Sequence, residues 1–257
     1  MKNKFEGWRV VSDHQIKENY LKICEAAVKN EKVFNQFKTS HYYRTIAEHC
    51  PYELAMVYYD KMEREKSLFL KHVSLLREKE KFGSPQIINH EPYISTSTIR
   101  YLKVADDIRN IFGNTKNFSI IEIGGADGGQ ATVLDTVMGF REYIDIDLEW
   151  PAKLAKKYCL LNNVSNFTSC RPNHALMHLR EEKYDMAISN YAFSECEEDT
   201  QDFYINEIFS RCERGYITVN GSHERKARVE KQMKNFKNFR KFASDLDKHN
   251  HPIFVWG

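Results

Sequence analysis

Between Ser119 and Ala131 the chain reads Ser-Ile-Ile-Glu-Ile-Gly-Gly-Ala-Asp-Gly-Gly-Gln-Ala, an apolar run passing straight into four glycines within six positions. Gly124 and Gly125 let a backbone turn sharply; Gly128 and Gly129 let it approach a ligand with no Cβ in the way. A helix starting just beyond would offer unpaired N–H groups. A plain tight turn needs fewer glycines. A dinucleotide loop prefers Gly-x-Gly-x-x-Gly, and Ala126 occupies its second glycine position. A P-loop ends in Gly-Lys-Ser/Thr, which this segment lacks. Glu122, two residues before the first glycine, discriminates further. A carboxylate there repels a pyrophosphate but can hold an ammonium group, directly or through water. Roughly 20 residues on, Tyr143-Ile-Asp-Ile-Asp147 puts Asp145 and Asp147 on one face, where a carboxylate can bind both hydroxyls of a ribose. The alternation leaves both open for that role, and Asp147 could instead cap a helix before Pro151. A ribose and a methionyl ammonium without a pyrophosphate describe S-adenosyl-L-methionine.

Further candidates follow the later apolar segments, because ligands of open α/β sheets sit outside the carboxyl ends of the strands. After Tyr184–Ser189 come Asn190 and Tyr191, able to line a cofactor pocket, and Glu195, able to accept a hydrogen bond from an acceptor hydroxyl. Ser194 and Glu195 could equally be the N-cap and first-turn carboxylate of a helix. After Gly215–Val219 comes Asn220-Gly-Ser-His-Glu224, and His223 is the foremost candidate general base, since imidazole changes protonation near neutral pH. It could also be an ordinary surface or capping residue. His174 is the second choice, and Asn173 beside it could hydrogen-bond an adenine. His90, Tyr93, His249 and His251 could each reach the cleft without being ranked. Arg225–Lys241 holds eight basic residues against one acidic, Glu230, with Val229, Met233 and Phe236 on an apolar face. Such a face is either solvated or an anion-facing wall for a phosphorylated sugar carrier, an acidic glycan or nucleic acid. No Asp/Glu/His cluster with ligand spacing stands out near the strand ends, so no metal is expected.

The elements that must position these residues change character near residue 84. Before it, helical periodicities dominate: Ser12 and Asp13 can cap a helix carrying Ile16, Tyr20, Cys24, Ala27 and Val28. Pro51 can open a second long helix with Leu54, Val57, Tyr58, Met62, Phe69, Val73 and Leu76 as core contacts. Gly83-Ser-Pro85 breaks the pattern. Beyond it, Ser97 can cap a helix over Ile99–Phe112, stopped at Gly113. Strands are expected at 118–123, 142–146, 166–169, 184–189 and 215–219, with helices at 131–137, 151–161, 200–212 and 223–239. Residues 239–243 and 252–256 could pair as antiparallel strands. Alternating strand and helix implies a doubly wound, mostly parallel sheet with helices on both faces, at 85–257, behind a helical cap region at 1–84.

With 257 residues, 42% hydrophobic and 29% charged, the composition is that of a globular protein with room for one α/β domain and an appendage. Net charge is +2, so no global field demands a polyanion. No apolar run suits a signal peptide or a membrane span. Six scattered cysteines without a CxxC pair suggest reduced thiols and a cytoplasmic, or at least reducing, compartment.

On Ile121-Glu-Ile-Gly-Gly-Ala-Asp-Gly-Gly-Gln130, on Asp147 followed eleven residues later by Tyr158, and on Asp185-Met-Ala-Ile-Ser-Asn-Tyr-Ala-Phe-Ser-Glu195, the chain resembles the seven-stranded, Rossmann-like methyltransferases. More closely, it resembles a bacterial and viral group of sugar O-methyltransferases, over roughly residues 83–257. Ala126 and Asp127 stand where that group often has glycine and an aromatic residue. The resemblance implies methyl transfer from S-adenosyl-L-methionine to a hydroxyl of a sugar, nucleotide sugar or glycan, for instance a deoxyhexose such as rhamnose. The helical N-terminal region would close over the sheet's carboxyl end to shape the acceptor site. The runner-up is a methyltransferase of RNA or another nucleic acid, supported by the basic helix but lacking an Asn/Asp-Pro-Pro-Tyr/Phe motif or a recognised RNA-binding module. A non-enzymatic domain that keeps the fold and pocket is the third reading; the intact loop argues against it.

Overall fold

The computed structural model describes residues 4–48, 50–243 and 251–257, and only the backbone of 4–14. The chain forms two compact units, Met1–Tyr101 and Leu102–Gly257, and the helix Thr96–Phe112 runs across the division.

The first unit is helical. Its opening helix, Lys4–Lys29, already contains Ser12 and Asp13, so these do not start it. Tyr20, Cys24 and Ala27 form its buried stripe. Pro51 does precede a helix, Tyr52–Arg64, but the run does not continue to Leu76. Lys66 takes a left-handed backbone (φ 54°), and a 3-10 turn, Leu70–His72, separates it from a second helix, Val73–Lys79. The break lets Tyr58, Met62, Phe69, Val73 and Leu76 all be buried, while Val57 faces out. Lys38 and Glu48 form a buried ion pair at 2.9 Å. Burial opposes the Glu48 charge most, but the Lys38 ammonium and the Arg100 guanidinium together hold that carboxyl below its ordinary range. Ser95, not Ser97, caps the helix Thr96–Phe112: its Oγ accepts from Thr98 N at 3.1 Å. The Ser95 N–H in turn donates to the buried Glu80 carboxylate, whose pKa burial pushes up.

The second unit is a Rossmann-like α/β sheet of seven strands: β1 (Ser119–Ile123), β2 (Glu142–Ile146), β3 (Phe167–Cys170), β4 (Tyr184–Asn190), β5 (Cys212–Thr218), β6 (Arg240–Phe242) and β7 (Ile253–Trp256). Their order is β3-β2-β1-β4-β5-β7-β6, and the strands run parallel except for β7, which is antiparallel to both neighbours. β1 is buried along its whole length, as expected of a central strand covered on both faces. On one face, Ile217 of β5 and Phe254 and Trp256 of β7 pack with Val229 and Met233 of the helix His223–Met233. On the other, the Tyr216 hydroxyl donates to Asp107 of the helix Thr96–Phe112 at 2.6 Å.

Several boundaries differ from the sequence expectation. The helix expected over 200–212 runs Glu198–Phe203, passes through a π-turn at Tyr204–Ile208 and a 3-10 turn at Phe209–Arg211, and yields Cys212 to β5. The helix expected to reach Phe239 stops at Met233, because the chain must turn to bring Phe236 onto Trp256 (4.7 Å between rings) and Phe239 onto Phe254 (5.5 Å). Asn238 makes that turn with φ 59°. The helix after the glycine loop starts at Gly129, two residues earlier than expected. All six cysteines are free thiols, five of them buried. No described helix is long and apolar enough to cross a membrane.

Candidate cofactor and acceptor site

The glycine turn leaves the tip of β1 with Gly124 in the left-handed region (φ 79°), where a Cβ would fall 2.1 Å from the Ala192 Cβ. Only glycine satisfies both demands. Gly125 is held over the strand interior: its N–H donates to Asp145 Oδ1 at 3.0 Å, and a Cβ there would meet Asp145 Oδ1 at 2.6 Å and Glu122 Oε2 at 2.8 Å. Ala126 also takes a positive φ (55°), a conformation that glycine adopts more readily. Gly128, at φ 80°, is the N-cap of the helix Gly129–Val137 and supplies no side-chain cap, so that helix's first N–H groups get no capping bond from it.

The structure separates the two aspartates that the alternation left level. Asp145 is fully buried, accepting from Gly125 N and from Ser169 Oγ at 3.2 Å. Burial raises its pKa well above the usual carboxylate range, and the neighbouring Asp147 and Glu122 charges push it further. It works as a clamp on the turn. Asp147, just past the tip of β2, is half-exposed: Oδ2 accepts from Ala126 N at 2.9 Å and Oδ1 from Leu148 N at 2.6 Å. Glu122 is buried and accepts from the Tyr143 hydroxyl at 2.7 Å. Burial, and then the Glu122 charge, push that phenol's pKa well up, so Tyr143 stays a neutral donor. Sequence reasoning missed Tyr143 and Ser169; Tyr143 lies two residues before Asp145, on the same face of β2.

At the tip of β4, Asn190 donates to Gln130 Oε1 (3.4 Å) and accepts from Thr218 Oγ1 (3.3 Å), linking the glycine loop to β5. Tyr191 adopts φ 74°, ψ −40°, which is uncommon for a bulky residue. Its N–H donates to Thr218 O at 2.9 Å, and its ring meets His251 edge-on at 5.3 Å. The helix expected to be capped by Ser194 already contains it: Ala192–Glu195 is a short helix, and the next begins at Glu198. Ser194 Oγ instead bonds the Asn220 side chain (2.7 Å) and accepts from Asn220 N (3.1 Å). Asn220 Nδ2 then donates to Glu195 Oε1 at 2.5 Å. The loops after β4 and β5 are thus tied together, and Glu195 is exposed with its second oxygen oriented by that tie. Sequence reasoning missed Asn220 as well, because an asparagine after a strand reads as a turn former.

His223 is the first residue of the helix His223–Met233, exposed, while Ser222 caps that helix by accepting from Arg225 N at 3.2 Å. Asn173 is exposed on a 3-10 turn after β3, and His174 beside it takes a hydrogen bond from Arg171 at 3.3 Å. His90 and Tyr93 belong to the first unit, where His90 bonds Tyr52 at 2.6 Å; His249 lies outside the described residues. Among the described residues there is no group of three or more His, Cys, Asp or Glu side chains that could hold a metal ion.

No protein-family model and no curated protein sequence matches the chain. Among solved structures, it is similar to a Thermoplasma acidophilum protein at 16% identity, covering 74% of this chain and 96% of that one, with a TM-score of 0.48. An rRNA methylase from Streptococcus thermophilus is 14% identical over 61% of this chain and 94% of that one, with a TM-score of 0.47. TrmK of M. capricolum, solved with S-adenosyl-homocysteine, is 11% identical over 58% of this chain and 65% of that one, with a TM-score of 0.43.

Proposed function

We propose that this chain is an S-adenosyl-L-methionine-dependent methyltransferase. The observation that carries the reading is the Gly124–Gly128 turn at the tip of β1, drawn down onto buried acids with Asp147 at the neighbouring strand tip. Glu122 and Asp147 beside one turn, with Asp145 held toward its neutral form by burial, make a negative site. It suits a cationic ligand and repels a pyrophosphate. Asp147 holds the ribose hydroxyls, and Glu122 with Gly124, Gly125, Ala126 and Gly128 faces the methionyl portion. Asn190 and Tyr191 line the cofactor, and Asn173 meets the adenine; Asp145 acts behind the turn. When bound, the cofactor supplies a methyl group already activated by its cationic sulfur. What remains for the chain is to align the acceptor, exclude water and remove a proton. Glu195, oriented by Asn220, is the better-held base; His223 is the alternative.

Two acceptor readings have support. The Ser189–Glu195 segment resembles that of sugar O-methyltransferases, and the oriented Glu195 carboxylate suits a sugar hydroxyl. The basic segment Arg225–Lys241, which starts at the carboxyl end of β5, favours a nucleic acid, and it is the broader structural feature.

Asp147→Ala is expected to weaken binding of S-adenosylhomocysteine by about 1–3 kcal/mol, the worth of charged hydrogen bonds. Titration calorimetry on the folded variant checks this. An unchanged affinity would remove Asp147 from the ribose site.

A further inference from the structure

The outermost strand, β6, ends the sheet, and all three of its residues are exposed. Arg240 and Phe242 share one face, with the guanidinium 5.6 Å from the ring centroid, and Phe242 is 37% exposed. Lys241 lies on the other face, where it and Lys234 both reach Glu230, at 2.6 and 3.0 Å. That single carboxylate is shared between two ammonium groups, so the cluster keeps a net positive charge. Lys231, Lys237 and Arg240 are exposed and have no acidic partner among the described residues. Lys237 is joined to the end of β7, its carbonyl accepting from Gly257 N at 3.1 Å, which brings the basic residues alongside the sheet edge. β6 runs parallel to β5, and Phe242 lies level with Ile253, itself paired with Thr218 at the carboxyl end of β5. The basic strip therefore climbs the edge toward the end of the sheet where the cofactor turn lies.

We infer that this β6 edge binds single-stranded nucleic acid, phosphates lying along Lys231, Lys237, Arg240 and Lys241 and a base stacking on Phe242. Phosphates and bases together require both a positive track and an exposed aromatic ring, which a solvated charged face does not need. This inference rests on the nucleic-acid reading of the acceptor and names the surface that would present it.

The test uses the full chain, a fluorescein-labelled single-stranded RNA 12-mer and anisotropy across a salt series. With about four phosphates neutralised, log K should fall with log[salt] at a slope of about −3. The double variant Lys237→Glu/Arg240→Glu should bind at least about tenfold more weakly with a shallower slope. Phe242→Ala should cost about 5–100-fold without changing the slope. S-adenosylhomocysteine titrated into each variant reports folding and the cofactor reading separately. Intact cofactor binding with wild-type RNA affinity in the variants would overturn the edge site. So would duplex RNA or heparin competing as well as the single strand, or no RNA binding at low salt. Retained RNA binding with no cofactor binding in the wild type would instead sink the methyltransferase reading alone.

Discussion

Glu195→Gln is expected to lower kcat by about 10²–10⁴-fold while leaving affinity for S-adenosylhomocysteine nearly unchanged. The glutamine keeps an oxygen for Asn220 Nδ2, so the tie between the β4 and β5 loops survives and only the proton acceptor is lost. His223→Ala should change turnover little, because His223 stands exposed at a helix start and nothing among its described neighbours orients it. A base gains its effect from being held in reach of the proton it takes. Single-turnover transfer from radiolabelled cofactor, on whichever RNA or glycan acceptor incorporates label, separates the two. A large loss in His223→Ala with near-normal Glu195→Gln would move the role to the histidine. Normal turnover in both would leave neither as base.

Gly124→Ala is expected to destabilise the chain by about 2–4 kcal/mol, combining left-handed backbone strain with overpacking against Ala192. The distance decides the sign: a Cβ at 2.1 Å from another Cβ, with no flexible side chain to give way, must shift the turn or the helix Ala192–Glu195. Gly139→Ala is the matched control. It has a similar φ, 72°, with nothing within 4 Å of the added Cβ, so it should show the strain of about 1–2 kcal/mol alone. Denaturant titrations of both variants check the difference. If the turn holds the cofactor as proposed, Gly124→Ala should also lose cofactor affinity while Gly139→Ala keeps it. Equal destabilisation of the two would mean that the turn does not depend on close packing at Gly124.

The parallel sheet was legible because short strand-like runs alternate with helical periodicities, and β2 begins and ends where its pattern does. The loop was legible because four glycines within six positions exceed what a tight turn between strand and helix requires. What could not be read came from tertiary contacts. Asp145 and Asp147 have the same parity along the chain, and only burial separates the clamp Asp145 from the half-exposed Asp147. Asn220 carries no signal of its own; its role depends on Ser194 and Glu195 arriving from another strand. The helix expected to extend to Phe239 has the right periodicity, but Phe236 and Phe239 gain more by packing on Trp256 and Phe254. At residue 97 the cap was misplaced by two positions, since a run of serines and threonines offers several equivalent caps and Glu80, fifteen residues before Ser95, selects it.

On the function proposed, the turn after β1, with Glu122, Asp145 and Asp147 around it, holds S-adenosyl-L-methionine. Isothermal titration of the unmodified chain with S-adenosylhomocysteine and, separately, with NAD tests it most directly. Stoichiometric binding of S-adenosylhomocysteine with no heat from NAD is the predicted result. Tight NAD binding with no heat from S-adenosylhomocysteine would contradict it.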